Sequence, residues 1–144
     1  MQISDLIQTA LKESTSFVVE HEGKKLFFIN ATPHVLRFDD GTVLQPNPEL
    51  AEILTAKPKE TKVDEFNGIT FVRTEFQGTE EGWKLVVAAN YFNAHNDIKV
   101  IFIGSIIAAQ AYRAPVVSPI TTPETTRAPP DKKVCFKNKF NAYW

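Results

Sequence analysis

Residues 28–44 read FINATPHVLRFDDGTVL, and they set the course of the chain. One apolar run ends at Ile29. Asn30-Ala31-Thr32-Pro33-His34 interrupts it, and a second run begins at Val35. Pro33 fixes its own φ and pushes Thr32 toward an extended backbone, so the interruption is a bend. Asn30 and Thr32 carry short polar side chains that bond nearby backbone and shape such bends. Beyond it, HVLRF and TVLQP flank Asp39-Asp40-Gly41. Aspartate followed by glycine between alternating runs is a strong hairpin signal, because both turn residues tolerate positive φ. The histidine has two readings. His34 is a structural turn residue, or it is a general base or ligand contact with Asp39 or Asp40 near in sequence. A hairpin carries those aspartates to its far end, which counts against a local dyad.

Upstream, SFVV and KLFFIN flank EHEGKK, where Gly23 can take the positive φ of a turn. Ile3, Leu6, Ile7, Ala10 and Leu11 recur at helical spacing and predict a short amphipathic helix over 4–13. Downstream, PELAEILTA predicts a helix over 48–56 with proline in its first turn, ended by Pro58. ETKVDEF and ITFVRTEF flank Asn67-Gly68, the best hairpin signal in the chain. KLVVAANYFNAH (84–95) and KVIFIGSIIAAQ (99–110) align at an offset of fifteen residues. Each copy reads as a short buried strand, a turn and a helix, with Asn90 and Ser105 as matching N-caps. Continuous apolar strands suit a parallel pair covered on both faces, although the connection between the copies is short for a crossover.

Five of the nine prolines lie beyond Ala114, and no glycine does. Residues 114–131 therefore read as a proline-rich extended arm, following a single domain over 1–113. Residues 132–144, KKVCFKNKFNAYW, are too apolar to leave in water and are expected to dock back or onto a partner. The fold class expected is α+β: antiparallel hairpins form a sheet packed by short helices, followed by a strand–helix pair and the extended arm.

The length of 144 residues fits one compact domain, and 43% hydrophobic with 23% charged residues is ordinary for a globular protein. A net charge of -1 gives no global field for nucleic acid or an anionic membrane. The lysine–aromatic interleaving at the C-terminal end is the one feature suited to single-stranded nucleic acid, and no RNP-type motif accompanies it. A single cysteine, Cys135, has no internal disulfide partner, and the N-terminus is too polar for a signal peptide. No apolar run reaches the roughly 20 residues of a membrane span. The expected location is cytoplasmic. His21, His34 and His95 lack metal-ligand spacing, so no metal and no cofactor are expected.

Few residues can carry chemistry. Ser105 sits at a strand–Gly–Ser–helix junction without the second glycine of a nucleophile elbow, so it reads as an N-cap. Backbone N–H groups at Gly104, Ser105 and Ile106 could attract an anion. Arg73 interrupts a strand of apolar and threonine residues. It either reaches solvent or serves as an anion clamp.

The order of signals resembles a family of small uncharacterised domains of bacteria, bacteriophages and some fungi. Their pattern opens on Asn-x-Thr-Pro-His and includes Gly-Ile-x-x-x-Arg-Thr. The matching stretches here are NATPH, DDGTV, NGITFVRTEF, VIFIGSIIAAQAY and the arm from APVVSP to KVCF, spanning about residues 28–136. EGWKLVVAANYFNAH reads as an insertion relative to shorter members. The resemblance implies pattern positions at Asn30, Thr32, Pro33, His34, Gly41, Gly68, Arg73 and Ser105, and it brings no known activity.

Two functions compete. One is a binding or interaction module without catalysis, self-associating or meeting a protein partner through the arm. The other is a small enzyme, or a binder of a phosphorylated or nucleotide-like anion. It would use His34 as acid or base, with Asn30, Thr32, Arg73, Gly104 and Ser105 around the ligand. The second requires these residues to converge.

Overall fold

The computed structural model describes Asp5, Gln8 and residues 14–144. The helix expected over 4–13 lies outside the described residues as a whole. The fold is α+β.

Strands β1 (Ser16–His21) and β2 (Lys24–Asn30) form the first hairpin, with Glu22 and Gly23 both at positive φ. After the bend come two short strands, β3 (Leu36–Arg37) and β4 (Val43–Leu44), and helix α1 (Pro48–Ile53). The Asn47 side chain caps α1 by accepting from the Leu50 N–H, and Pro48 occupies the first turn. A long hairpin follows, β5 (Ala56–Phe66) and β6 (Ile69–Gly78). Helix α2 (Glu80–His95), strand β7 (Ile98–Ile103) and helix α3 (Ile106–Tyr112) lead to β8 (Val116–Thr121) and β9 (Cys135–Ala142).

The main sheet has five strands in the order β1-β2-β7-β8-β9. Its centre is parallel: β7 pairs with β2 on one side and β8 on the other. Its outer pairs, β1–β2 and β8–β9, are antiparallel. The reason lies in the side chains of the central strands. Val100, Phe102 and Val116 join Ile29 in a core with Leu50 of α1, Leu85 and Val86 of α2, and Ala108 and Tyr112 of α3. Their neighbours Ile101, Ile103 and Val117 fall in a second core with Phe17, Phe38 and Leu44. A strand apolar on both sides needs cover on both faces, and here helices supply one cover and the β3–β4 hairpin the other.

That hairpin also bridges the curled sheet. The Gln45 N–H donates to Ser14 O at 2.6 Å near the β1 side, and the Asp39 N–H donates to Cys135 O at 2.9 Å on β9. Phe28 stacks between Phe17 at 4.8 Å and Phe140 of β9 at 5.1 Å. The segments expected as an extended arm and a docking aromatic end thus supply β8 and β9 of the same sheet.

Three local expectations are corrected. Residues 84–95 are not a strand, turn and helix but the body of one helix starting at Glu80. Thr79 caps it, accepting from the Gly82 N–H at 3.0 Å, and Glu80 and Glu81 suit the positive end of its dipole. Leu85, Val86 and Ala89 are its buried stripe, a helical spacing that outweighs the apolar run Leu-Val-Val. The expected parallel pair between the two copies is therefore absent, and β7 pairs with β2 and β8 instead. Finally, α1 ends at Ile53, and Pro58 lies within β5, on a ribbon where its missing N–H is tolerated.

β5 and β6 form a separate two-stranded ribbon. Asn67 and Gly68, at φ 49° and 82°, make the turn, and the register shifts between Lys62 and Asp64. Every residue from Lys57 to Glu75 is exposed.

Candidate functional site

The bend after β2 is built around Asn30, which is fully buried. Its Nδ2 donates to His34 O at 2.8 Å and to Leu44 O at 3.3 Å. Its Oδ1 accepts from the Thr32 N–H at 3.0 Å and from the Thr32 hydroxyl at 2.7 Å. One side chain thereby uses both donors and both acceptor positions to tie the end of β2 to the loop and to β4. His34 takes part through its backbone: its N–H donates to Thr32 Oγ1 at 3.3 Å, while the residue itself is exposed.

Gly104 follows β7 directly and is buried. Its N–H donates to Val117 O at 2.8 Å, and a Cβ there would stand 3.0 Å from Val116 Cγ1 and 3.4 Å from Ala108 Cβ. Glycine thus lets α3 and β8 close on the strand end. Ser105 caps α3, its Oγ accepting from the Ala108 N–H at 3.0 Å.

β2 and β7 run parallel, so the bend and the Gly104-Ser105 turn emerge at the same end of the sheet. Between them and α1 opens a cleft of about 530 Å³, lined by Ala31, Pro33, Glu52, Thr55, Ser105 and Ile107 among others. The carboxyl ends of parallel strands are where such sheets commonly receive ligands. Here the cleft walls are mostly apolar side chains and prolines. Glu52 and Thr55 contribute polar groups that the sequence reading did not single out. Glu52 lies in the last turn of α1 and Thr55 just beyond its end, so their placement at the bend depends on how α1 packs.

The candidate residues do not all meet. Asn30, Thr32, Gly104 and Ser105 gather around this strand end. Arg73 is opposite Thr61 on the exposed ribbon, five residues above Gly78 at its root, or about 17 Å at strand rise. Nucleophilic catalysis needs a base bonded to the nucleophile. Among the described residues, the Ser105 hydroxyl is engaged as a helix cap and no side-chain bond joins His34 to an acid or base. Among the described residues, no three His, Cys, Asp or Glu side chains group to hold a metal. No described helix is long and apolar enough to cross a membrane.

Two groups with shifted ionisation lie on the opposite side of the sheet. The Asp40 carboxyl is lowered to about 2, chiefly by its bond from Lys137 Nζ at 2.6 Å and then by the Thr42 N–H. Burial pushes the Cys135 thiol up, with Lys133 opposing.

No family model, no curated protein and no solved structure matches the chain.

Two exposed apolar surfaces complete the picture. On α2, Trp83, Val87 and Tyr91 form a stripe at fourfold spacing beside a groove of about 860 Å³. Dividing 84–95 into a strand and a helix hid that stripe, although its spacing is plain in the sequence. On the ribbon, Val63, Phe66, Ile69, Phe71 and Val72 stand in solvent, with Phe66 74% exposed.

Proposed function

We propose that this protein is a non-catalytic interaction module whose contact element is the β5–β6 ribbon, and that it self-associates. One observation carries the reading: a ribbon of two strands, exposed over its whole projecting length, holds five large apolar side chains in water. An isolated two-stranded hairpin is marginal on its own. Fully burying each of those side chains would contribute about 1.5–3 kcal/mol, which makes a partner surface the natural destination. The C-terminal segment, the element expected to meet a partner, is engaged in the sheet as β8 and β9. A cytoplasmic location accords with the single buried thiol of Cys135. The anion-binding alternative draws less support, because Arg73 stands on the ribbon, away from Ser105.

The test is to shorten the ribbon. Residues 58–76 are replaced by an Asn-Gly turn, and thermal unfolding and sedimentation are measured beside the full chain. The reading expects a folded protein with nearly unchanged Tm and no self-association. A shortened chain that fails to fold would make the ribbon structural and overturn the reading. So would one that associates as the full chain does.

A further inference from the structure

The two edges of the ribbon are not alike. Exposed strand edges invite pairing, and proteins blunt them with lysine, proline or a bulge. β5 has all three: Lys57, Lys59 and Lys62, Pro58 without an N–H, and the register shift after Lys62. β6, Ile69–Gly78, has no lysine and no proline. Among the described residues β5 and β6 make a sheet of two strands, and no described strand lies against the outer edge of β6. At its root α3 packs against β6, and Tyr112 lies where a Gly78 side chain would point, on the face of the strand.

The sequence of β6 is also self-complementary. Val72-Arg73-Thr74-Glu75-Phe76 reads apolar, basic, threonine, acidic, apolar. Two copies paired antiparallel about an axis through Thr74 set Arg73 opposite Glu75, Val72 opposite Phe76 and Thr74 opposite itself, each charged pair occurring twice. Opposite charges and threonine pairs are favourable cross-strand neighbours. Neighbouring registers lose this match. An axis through Arg73 or Glu75 brings like charges together, and one through Val72 sets Arg73 opposite Phe71 and Glu75 opposite Ile69.

We infer that a second copy of this chain adds to the β6 edge in the Thr74-centred register, making a continuous four-stranded sheet β5-β6-β6-β5. This rests on the interaction-module reading and names its partner. Val72 and Phe76 then meet across the axis on one face, and the Arg73–Glu75 pairs fix the register on the other.

The experiment is a charge swap followed by sedimentation velocity and native mass spectrometry from about 1 to 100 µM. R73E sets glutamate against Glu75 of the second copy, and E75R sets arginine against Arg73. Each should raise the dimer dissociation constant roughly tenfold or more, since two pairs per dimer turn from attractive to repulsive. The double variant R73E/E75R should restore the dimer. An equimolar mixture of the two single variants should form heterodimers, because each then presents the charge the other lacks. Both positions are exposed; on its own ribbon Arg73 lies opposite Thr61 and Glu75 opposite Lys59, so R73E should leave circular dichroism unchanged and is the cleaner of the two swaps. A wild-type chain that stays monomeric over this range overturns the inference and, with it, the self-association in the module reading. A dimer lost on ribbon shortening but indifferent to both swaps overturns this register and leaves the module reading standing. A dimer that survives both swaps and shortening overturns the two together.

Discussion

Gly82→Ala sets two large effects against each other. Gly82 lies in the first turn of α2, where alanine in place of glycine would favour the helix by about 1 kcal/mol. A Cβ at this position would fall inside van der Waals contact of Tyr112 Oη and Cζ and 2.8 Å from Cε1. Tyr112 cannot simply step aside. It is buried, Trp83 packs edge-on at 5.2 Å, and its hydroxyl accepts from the Thr79 N–H at 2.8 Å and donates to Thr55 O at 2.6 Å. Overpacking costs about 1–3 kcal/mol, and losing two partly buried hydrogen bonds costs about 1 kcal/mol each. The packing loss outweighs the helix gain, and the net destabilisation is about 2–4 kcal/mol. For a chain of this size that lowers Tm by about 6–12 °C. Thermal and urea unfolding followed by circular dichroism provide the measurement. Tyr112→Phe, which removes the hydroxyl and adds no bulk, should lose about 1–3 kcal/mol in the same assay. An unchanged or raised Tm for Gly82→Ala would refute the close approach of α2 and α3.

Asn30→Ala should lose about 2–4 kcal/mol in urea unfolding, because the Thr32 N–H and Leu44 O lose a partner in a buried site, while His34 O, part-buried, keeps the Thr32 hydroxyl. The Asp40 carboxyl should titrate by NMR with a midpoint of about 2, moving toward 3.8 in Lys137→Met. Because its folded value is depressed, the stabilisation from Asp40 is present above its unfolded value and is lost as pH falls through the folded one. Cys135 should resist alkylation at pH 8 in the native protein and react fully in denaturant, read by mass spectrometry, since burial holds the thiol protonated and covered.

Local signals in the sequence located most elements, and non-local ones decided the sheet. Gly23 and Asn67-Gly68 announced their hairpins because turn chemistry is written in the turning residues themselves, whereas the positive φ of Glu22 was not legible. The strand–Gly–Ser–helix reading of 99–110 matches β7 and α3 for the same reason. The parallel pairing of β2 with β7 joins Lys25 to Ile98 and Asn30 to Ile103, and no local spacing encodes a contact between segments so far apart. Leu-Val-Val in α2 was ambiguous as a run of three, and the Thr79 cap with its two glutamates resolves it. At the candidate site, Asn30 and Thr32 were legible as bend-formers. The separation of Arg73 from Ser105 was not, since it follows from the ribbon leaving the sheet.

The Tyr112 hydroxyl has a mechanical consequence. It bonds Thr55 O, just before β5 begins, and the Thr79 N–H, just after β6 ends. Both ankles of the ribbon are therefore tethered to one oxygen atom, carried by the last residue of α3. Ile107 of that same helix lines the cleft at the strand ends, so one short helix both holds the two roots of the ribbon together and walls the cleft.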